Sequence, residues 1–395
     1  MSVFVTGASR RASLTVTRSL GQKGISVILG DYAWGGVSFF SKYCSGKVIY
    51  PSPVTSPSKF TDTLLAYIKE HNVEVLLPMH DFELIPVLER KKEFEKYVGL
   101  PFVDIETMRK TIDKTQTVSI ASDLNIPVPK TYCINSLDDL HDIAESCKLP
   151  LVIKPKSQSI FGAINKSIHI TSDNYVFAKE DIYNKYVRIH AISPFPMIQE
   201  YVRGYGAGVE VLLNRGSERA VFIHKRLREY PITGGPSTFR ESIHNPVLVD
   251  YALKILKKLE WHGLAMVEFK IKPDGTPVFM EVNGRFWGSI ALPFHAGIDF
   301  PYLLYRMAVE GDIEPAPDYP DGVKCRWIVP GDLLWLISAI RENKAIGDFF
   351  SFRGMYFDYL TRDDPLPLIG ACTTACRHLV DFMTRKRTIH GDWVQ

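Results

Sequence analysis

The chain has 395 residues, 46% apolar and 23% charged, which is long enough for two or three domains around a sizeable core. A formal net charge of +3, with the basic residues dispersed, argues against a dedicated nucleic-acid binder. Cys44, Cys133, Cys147, Cys325, Cys372 and Cys376 show no CxxC or paired metal spacing, which suits a reducing cytosol. MSVFVTGASRR has no basic region before a long apolar run, and no stretch reaches the length of an uninterrupted apolar span. Neither signal peptide nor transmembrane helix is expected, and the expected setting is cytoplasmic.

Residues 1–110 read as alternating strands and helices. Val3-Phe4-Val5 is a short buried strand, Thr6-Gly7-Ala8-Ser9 turns into a helix through Leu20, and Ile25–Leu29 is the next strand, ending at Gly30-Asp31. Phe60, Leu64, Leu65 and Ile68 fall at helical spacing, Val73–Leu77 is a third buried strand, and Leu84–Phe94 is another helix. This pattern predicts a doubly wound parallel sheet with ligands at the carboxyl ends of its strands. The TGAS start with Asp31 also invites a dinucleotide-binding reading, an NAD(P)-dependent oxidoreductase. Gly-x-Gly-x-x-Gly is absent, however, and the Tyr43/Lys47 pair lies too early for a short-chain dehydrogenase. The helix N-terminus at Ser9-Arg10-Arg11 is either a small anion site or a solvated first turn.

Residues 111–145 carry a helix with Lys114 near its start, then the Pro-punctuated link Asn125–Pro129. Leu151–Lys154 is a buried strand ending in Lys before Pro155, followed by the small polar loop Ser157–Ala163. A Lys there suits phosphate neutralisation beneath a flap, although a lone Lys more often snorkels to the surface. Residues 172–195 read as polar and irregular. Met197–Val202 is a strand, followed by Gly204, Gly206 and Gly208. Val209–Leu213 and Ala220–Leu227 form a second hairpin, with His224, Arg226 and Arg228 as a basic row on one face. EYPITGGPST, residues 229–238, is a Gly/Pro-rich loop, and Leu248, Ala252, Ile255, Leu256 and Leu259 mark an amphipathic helix.

Leu264–Trp287 then reads as two strands joined at Pro273-Asp274-Gly275. Alternation puts Val267, Phe269 and Ile271 on one face and Met266, Glu268 and Lys270 on the other, while Phe279, Glu281 and Asn283 share a face opposite Met280 and Val282. A two-residue turn at Asp274-Gly275 sets Glu268 directly opposite Glu281. Like charges in that relation are destabilising, and a hard divalent cation with oxygen ligands would reconcile them. Asn283 adds a neutral oxygen and Arg285 a donor fork for carboxylate or phosphate. The plain alternative is a solvated hairpin face. Beyond it, in residues 316–395, Leu333–Ile340 and Leu366–Met383 look helical, with Arg385-Lys386-Arg387 near the end. That extension reads as a packed helical segment with a solvated basic tail, with a lid, a dimer surface or a membrane-surface helix as alternatives.

VIKP around Lys154, QEYV around Glu200, and the acidic pair AMVEFK then MEVNGRFWG together resemble the ATP-grasp superfamily, in its carbamoyl-phosphate-synthetase-like and carboxylate–amine ligase branch. The resemblance covers residues 1–315. It implies an N-terminal α/β domain with a doubly wound parallel sheet (1–110), then a two-part α+β ATP-grasp fold with antiparallel sheets. The parts are a small lid subdomain (111–200) and a large subdomain (201–315), followed by the helical extension (316–395). It implies that Lys114 and Lys154 contact the ATP phosphates, and that Glu200, Tyr201 and Val202 meet adenine. Glu268, Glu281 and Asn283 would hold Mg²⁺, or Mn²⁺ in its place. Arg285 and Arg226 would serve the chemistry, with His224, Arg228, Ser237 and Thr238 at the substrate end. The family's reaction makes an acyl phosphate from a carboxylate and passes it to an amine, so the implied partners are small molecules, with a homodimer as the expected assembly. Three departures stand out. The flap SQSIFGA has only Gly162, Gly206 replaces the usual acidic ribose partner so that Glu210 is its substitute, and Asn-Pro-Arg reads Asn283-Gly284-Arg285. The first two also motivate a catalytically inactive ATP-binding regulatory protein as an alternative.

Overall fold

The computed structural model describes residues 1–157, 159, 160, 166, 167, 174–232, 234–373 and 375. Most of the flap, including Gly162, and the chain beyond 375, including Arg385-Lys386-Arg387, lie outside the described residues.

The chain opens with β1 (Ser2–Val5), α1 (Arg11–Gln22), β2 (Ser26–Asp31), β3 (Cys44–Ile49), α2 (Pro57–His71), β4 (Val75–Leu77), α3 (Asp81–Glu89) and the short α4 (Lys91–Phe94). The four strands are parallel, in the order β3-β2-β1-β4. Val3, Phe4, Val5, Val75 and Leu76 have no exposure, as expected of strands covered on both faces. β3 escapes a reading by hydrophobicity because CSGKVI is a half-exposed edge strand.

The TGAS turn does not have the free amides of a dinucleotide site. Gly7 sits at φ +60° and its N–H donates to the Tyr50 hydroxyl at 2.9 Å. The Ala8 N–H donates to the Gly30 carbonyl at 3.0 Å, and the Ser9 N–H to Asp31 Oδ2 at 2.7 Å. Asp31 is 2% exposed, so the acid that would hold a ribose is spent on the turn itself. This corrects both the oxidoreductase alternative and the anion site at Ser9–Arg11. Arg11 is not solvated either: its guanidinium lies 3.1 Å from Asp358 and 4.2 Å from the centre of the Trp327 ring.

Next come α5 (Ile105–Ile112) and α6 (Lys114–Asp123), the latter capped by the Asp113 carboxylate, which accepts from the Thr115 N–H. A small sheet follows, built from β5 (Thr131–Tyr132), β6 (Leu151–Lys154), β9 (Tyr175–Val176) and β10 (Met197–Glu200) in the order β5-β10-β6-β9. Between β6 and β9, β7 (Ser159–Ile160) pairs with β8 (Lys166–Ser167). Two helices, α7 (Asp139–Ser146) and α8 (Ile182–Ile192), cover this sheet and close a separate small core with Leu151, Ile153 and Ile198. α8 corrects the irregular reading of residues 172–195. Ile182, Tyr186 and Ile189 are its buried stripe at helical spacing.

The remaining chain builds a sheet of seven strands: β11 (Tyr205–Asn214), β12 (Ser217–Glu229), β13 (Ser237–Ser242), β14 (Gly263–Ile271), β15 (Pro277–Asn283), β16 (Lys324–Arg326) and β17 (Met355–Phe357). Its order is β15-β14-β11-β12-β13-β16-β17, antiparallel except for the β16/β17 pair. Helices α9 (Pro246–Lys258), α10 (Ala291–Ala296) and α11 (Phe300–Glu310) pack around it, and one apolar core runs from the first sheet into this one.

Residues beyond 316 include the expected helix, α12 (Leu333–Arg341), and residues 367–373 are helical. They also supply β16 and β17, which a purely helical reading missed. Buried ion pairs fasten this part. Asp358 joins Arg11 and Arg240, Asp332 joins Arg228 and Arg326, and Asp364 joins Arg18. Each carboxylate and guanidinium is 10% exposed or less, so none can be left unpaired without a large desolvation cost. Among the described residues no helix is long and apolar enough to cross a membrane.

Candidate active site

The β14/β15 hairpin sets Glu268 opposite Glu281, by a different route from the one its alternation suggests. The Lys272 N–H donates to the Thr276 carbonyl, and Gly275 takes φ +85°, so Pro273-Asp274-Gly275 is a three-residue turn. That turn pairs Phe269 with Phe279 and would leave Met280 facing Glu268. A bulge between these positions inserts one residue, and Glu281 takes the place opposite Glu268. The bulge also corrects one face assignment. Phe279 has no exposure and packs with Phe269 in the core, while Glu281 and Asn283 stay with Glu268 on the other face.

The two carboxylates are held in unlike environments. The Lys114 Nζ lies 2.5 Å from Glu281 Oε2, while Arg226 Nη2 lies 2.6 Å from Glu268 Oε2. Asn283 Nδ2 bridges them, donating to Glu268 Oε1 at 3.0 Å and to Glu281 Oε1 at 3.4 Å. Burial alone would raise the Glu281 carboxyl, but Lys114 holds it well below the usual range. Burial raises the Glu268 carboxyl, against the pull of Arg226, and repulsion from Glu281 adds to the rise. Two hard carboxylates and an amide on one face, with cations already drawn to them, are the donor chemistry of a Mg²⁺ site. The residues therefore fit the ion.

Lys154 ends β6 and Lys114 begins α6, and the Lys114 N–H donates to the Lys156 carbonyl at 2.9 Å, which brings the two together. Lys154 forms no ion pair among the described residues. Burial, with Lys114 close by, pushes its ammonium down to about 8 despite Glu281. A half-buried ammonium with no ion-pair partner among the described residues suits an arriving phosphate. On the strand beyond, the Tyr201 N–H donates to the Pro150 carbonyl at 2.9 Å, and the Glu200 N–H to the Lys130 carbonyl at 2.9 Å. Glu200, Tyr201 and Val202 are all partly exposed, at and just past the C-terminal end of β10, an interior strand of the small sheet.

Arg226 reaches Glu268 by lying across Gly206, where a Cβ would come within 2.8 Å of Arg226 Cδ. His224 lies likewise across Gly208, with Cε1 2.5 Å from the place of a Cβ. The glycines thus make room for these two side chains. The rest of the expected substrate end is enclosed. Glu210 has no exposure. It accepts from Ser289 Oγ at 3.2 Å and lies 3.0 Å from His224 Nδ1, so the ribose role expected of it is not available from an open surface. Burial pushes the Glu210 carboxyl well up and the His224 ring well down, favouring the neutral form of each. Arg228 is paired with Asp332 and Asp348 under the Trp335 ring. Thr238 Oγ1 donates to Asp332, and Ser237 Oγ to the Phe239 carbonyl. Arg228 and Thr238 belong to the buried Asp332 network at the start of α12, Ser237 turns to the backbone of its own strand, and the bulges in β12 after Arg226 break the basic row.

Arg285 points back to the parallel sheet and the start of α3. Its Nε donates to Asp81 Oδ1 at 2.9 Å, and its Nη1 to the Phe286 carbonyl at 3.0 Å. Sequence reasoning missed Asp81. The available signal was an acid just past β4, at the mouth of the parallel sheet.

The comparisons follow the same plan. A family model described as "ATP-grasp in the biosynthetic pathway with Ter operon" matches residues 193–329. The arginine-specific large chain of carbamoyl phosphate synthase from Neurospora crassa is 22% identical over 240 residues, 58% of this chain and 20% of that protein. The chain thus spans about a fifth of the length of that relative. Biotin carboxylase from Campylobacter jejuni superposes with a TM-score of 0.64 at 14% identity, covering 80% of this chain and 72% of the other. An L-amino acid ligase from Bacillus licheniformis gives 0.60 at 17% identity, covering 80% and 77%. With two antiparallel sheets behind a parallel one and the acidic hairpin in place, the chain has the ATP-grasp fold, and residues 193–329 match an ATP-grasp family model.

Proposed function

We propose that this protein is an ATP- and Mg²⁺-dependent ligase that activates a carboxylate as an acyl phosphate and joins it to an amine. The observation that carries the reading is the opposed Glu268/Glu281 pair with Asn283 between them, Lys114 paired to Glu281 and Lys154 close by.

Glu268, Glu281 and Asn283 would hold Mg²⁺, which neutralises charge on the phosphates. Lys114 and Lys154 supply further positive charge to the transferred phosphoryl group, and Lys154 gains a counterion when nucleotide arrives. Arg285 orients the acid so that a carboxylate oxygen attacks the γ-phosphorus and ADP leaves. Arg226 steadies Glu268 and lies beside His224, on the side from which an amine can reach the acyl carbon. The amine displaces phosphate and loses a proton, and an amide forms. Glu200, Tyr201 and Val202, at the C-terminal end of β10, would receive adenine.

The test is an ADP-release screen over pairs of amino acids and other carboxylates with amines, with Glu281→Gln as the inactive control. Release that needs both an acid and an amine supports the ligase. MgATP binding with no turnover for any pair favours the regulatory alternative, and no Mg²⁺-dependent ATP binding by calorimetry removes the reading altogether.

A further inference from the structure

Asp81 opens α3 immediately beyond β4, with His80 as the capping residue whose ring accepts from the Phe82 N–H. Its two oxygens are divided between residues far away in sequence. Oδ1 accepts from Arg285 Nε at 2.9 Å, and Oδ2 accepts from Ser159 Oγ at 2.8 Å. Ser159 is 3% exposed on β7, and its own N–H is held by Ser157 Oγ at 3.1 Å. Burial would raise the Asp81 carboxyl, but Arg285 and His80 outweigh it and hold it at about 2. One carboxylate just past β4 therefore joins the residues after β15, the strand of Glu281 and Asn283, to the hairpin beside the Lys154 strand.

We propose that Asp81 is a positioning residue for Arg285 and for β7, acting on the reaction proposed above. Of the guanidinium donors, Nε is spent on Asp81 and Nη1 on the Phe286 carbonyl, and Nη2 has no partner among the described residues. Fixing one edge of a planar fork fixes the direction of the other. Asp81 thus aims Nη2 at the acid substrate or its phosphoryl group while the same carboxylate keeps β7 against the first domain. The N-terminal domain becomes part of the active site through this residue, although Asp81 touches no substrate.

The test has two arms. In nucleotide-free protein with ¹⁵N-labelled arginine, NMR follows the Arg285 Nε–H, assigned by its loss in Arg285→Lys. Asp81→Ala is expected to move that resonance and speed its solvent exchange about tenfold or more, whereas Ser159→Ala leaves it in place. In the second arm, turnover is measured on the acid and amine pair found by the ADP-release screen. Asp81→Ala is expected to lower kcat about a hundredfold with the MgATP dissociation constant nearly unchanged, since misaiming a reacting group costs rate. Asp81→Asn keeps an Oδ1 acceptor and is expected to recover about tenfold of this. In an Arg285→Lys background, Asp81→Ala should add less than about threefold, because the two act as one unit. An unmoved Arg285 signal in Asp81→Ala, or additive losses in the double variant, overturns the proposal. If wild type turns over no pair, the ligase reading falls, and the NMR arm alone decides whether Asp81 positions Arg285.

Discussion

Glu268 and Glu281 face each other across β14 and β15 because a three-residue turn and a bulge compensate for one another. The turn alone would seat Met280 opposite Glu268, and the bulge puts the acid there instead. Bulges beside active sites commonly re-aim a side chain in this way.

Glu281→Gln keeps the size of the side chain and removes the charge that draws Lys114 to 2.5 Å. ADP release by the best acid and amine pair should fall about a thousandfold, the scale of losing one preorganised electrostatic element. The variant should stay folded but unfold at a lower temperature, because the buried Lys114 loses its carboxylate partner while Asn283 can still donate to the new amide. Near-normal turnover in the variant would remove Glu281 from the metal site.

Asp358→Ala tests the fastening of the C-terminal strands. Asp358 is the shared partner of Arg11 and Arg240, and Arg240 has no exposure. Two guanidinium groups left buried without that carboxylate should cost about 3–5 kcal/mol. Urea unfolding should show the loss in the midpoint. A change below about 1 kcal/mol, the scale of an exposed pair, would mean that water reaches Asp358.

The sequence made the parallel sheet, Lys154 and the acidic hairpin readable because each is a local pattern of a few residues. The bulge at Met280 left no such mark, since MEVN alternates as well with it as without it. Asp358 and Asp332 were unreadable for a different reason. Their partners Arg240 and Arg228 lie 118 and 104 residues away, and charge alone does not say which acid meets which base across a fold. For the same reason Arg228 looked like one member of a substrate-facing row with His224 and Arg226. Asp81 fell between the two cases: its place past β4 was visible, its tie to Arg285 was not.

Gly204 and Gly275 both sit at positive φ, +141° and +85°, but in different surroundings. A Cβ on Gly204 would lie 1.9 Å from the Ile271 carbonyl oxygen, at the turn end of β14, while one on Gly275 would meet open space. Gly275→Ala should cost about 1 kcal/mol, the backbone penalty alone. Gly204→Ala forces backbone apart and should cost about 3 kcal/mol or more, with weakened MgATP binding as β14 shifts. Equal losses in denaturant unfolding would show that the β11/β14 contact yields.

Lys154 links nucleotide binding to pH. Its ammonium sits at about 8 in the folded protein, below the ordinary lysine value of 10.5, through burial and Lys114. Between those two values the unfolded chain binds more protons than the folded one, so stability rises as pH rises through this window. At pH 7 the folded protein carries this half-buried charge in full. Lys154→Met should therefore stabilise the nucleotide-free protein by about 1–3 kcal/mol, while abolishing MgATP binding. Phosphates restore a counterion and raise the Lys154 value, so MgATP binding near pH 8.5 should take up protons, and affinity should fall as pH rises above about 8. Calorimetry in two buffers of different ionisation enthalpy measures the uptake. Equal observed enthalpies at pH 8.5, or an identical pH dependence in Lys154→Arg, would sink the assignment of Lys154 to the phosphates.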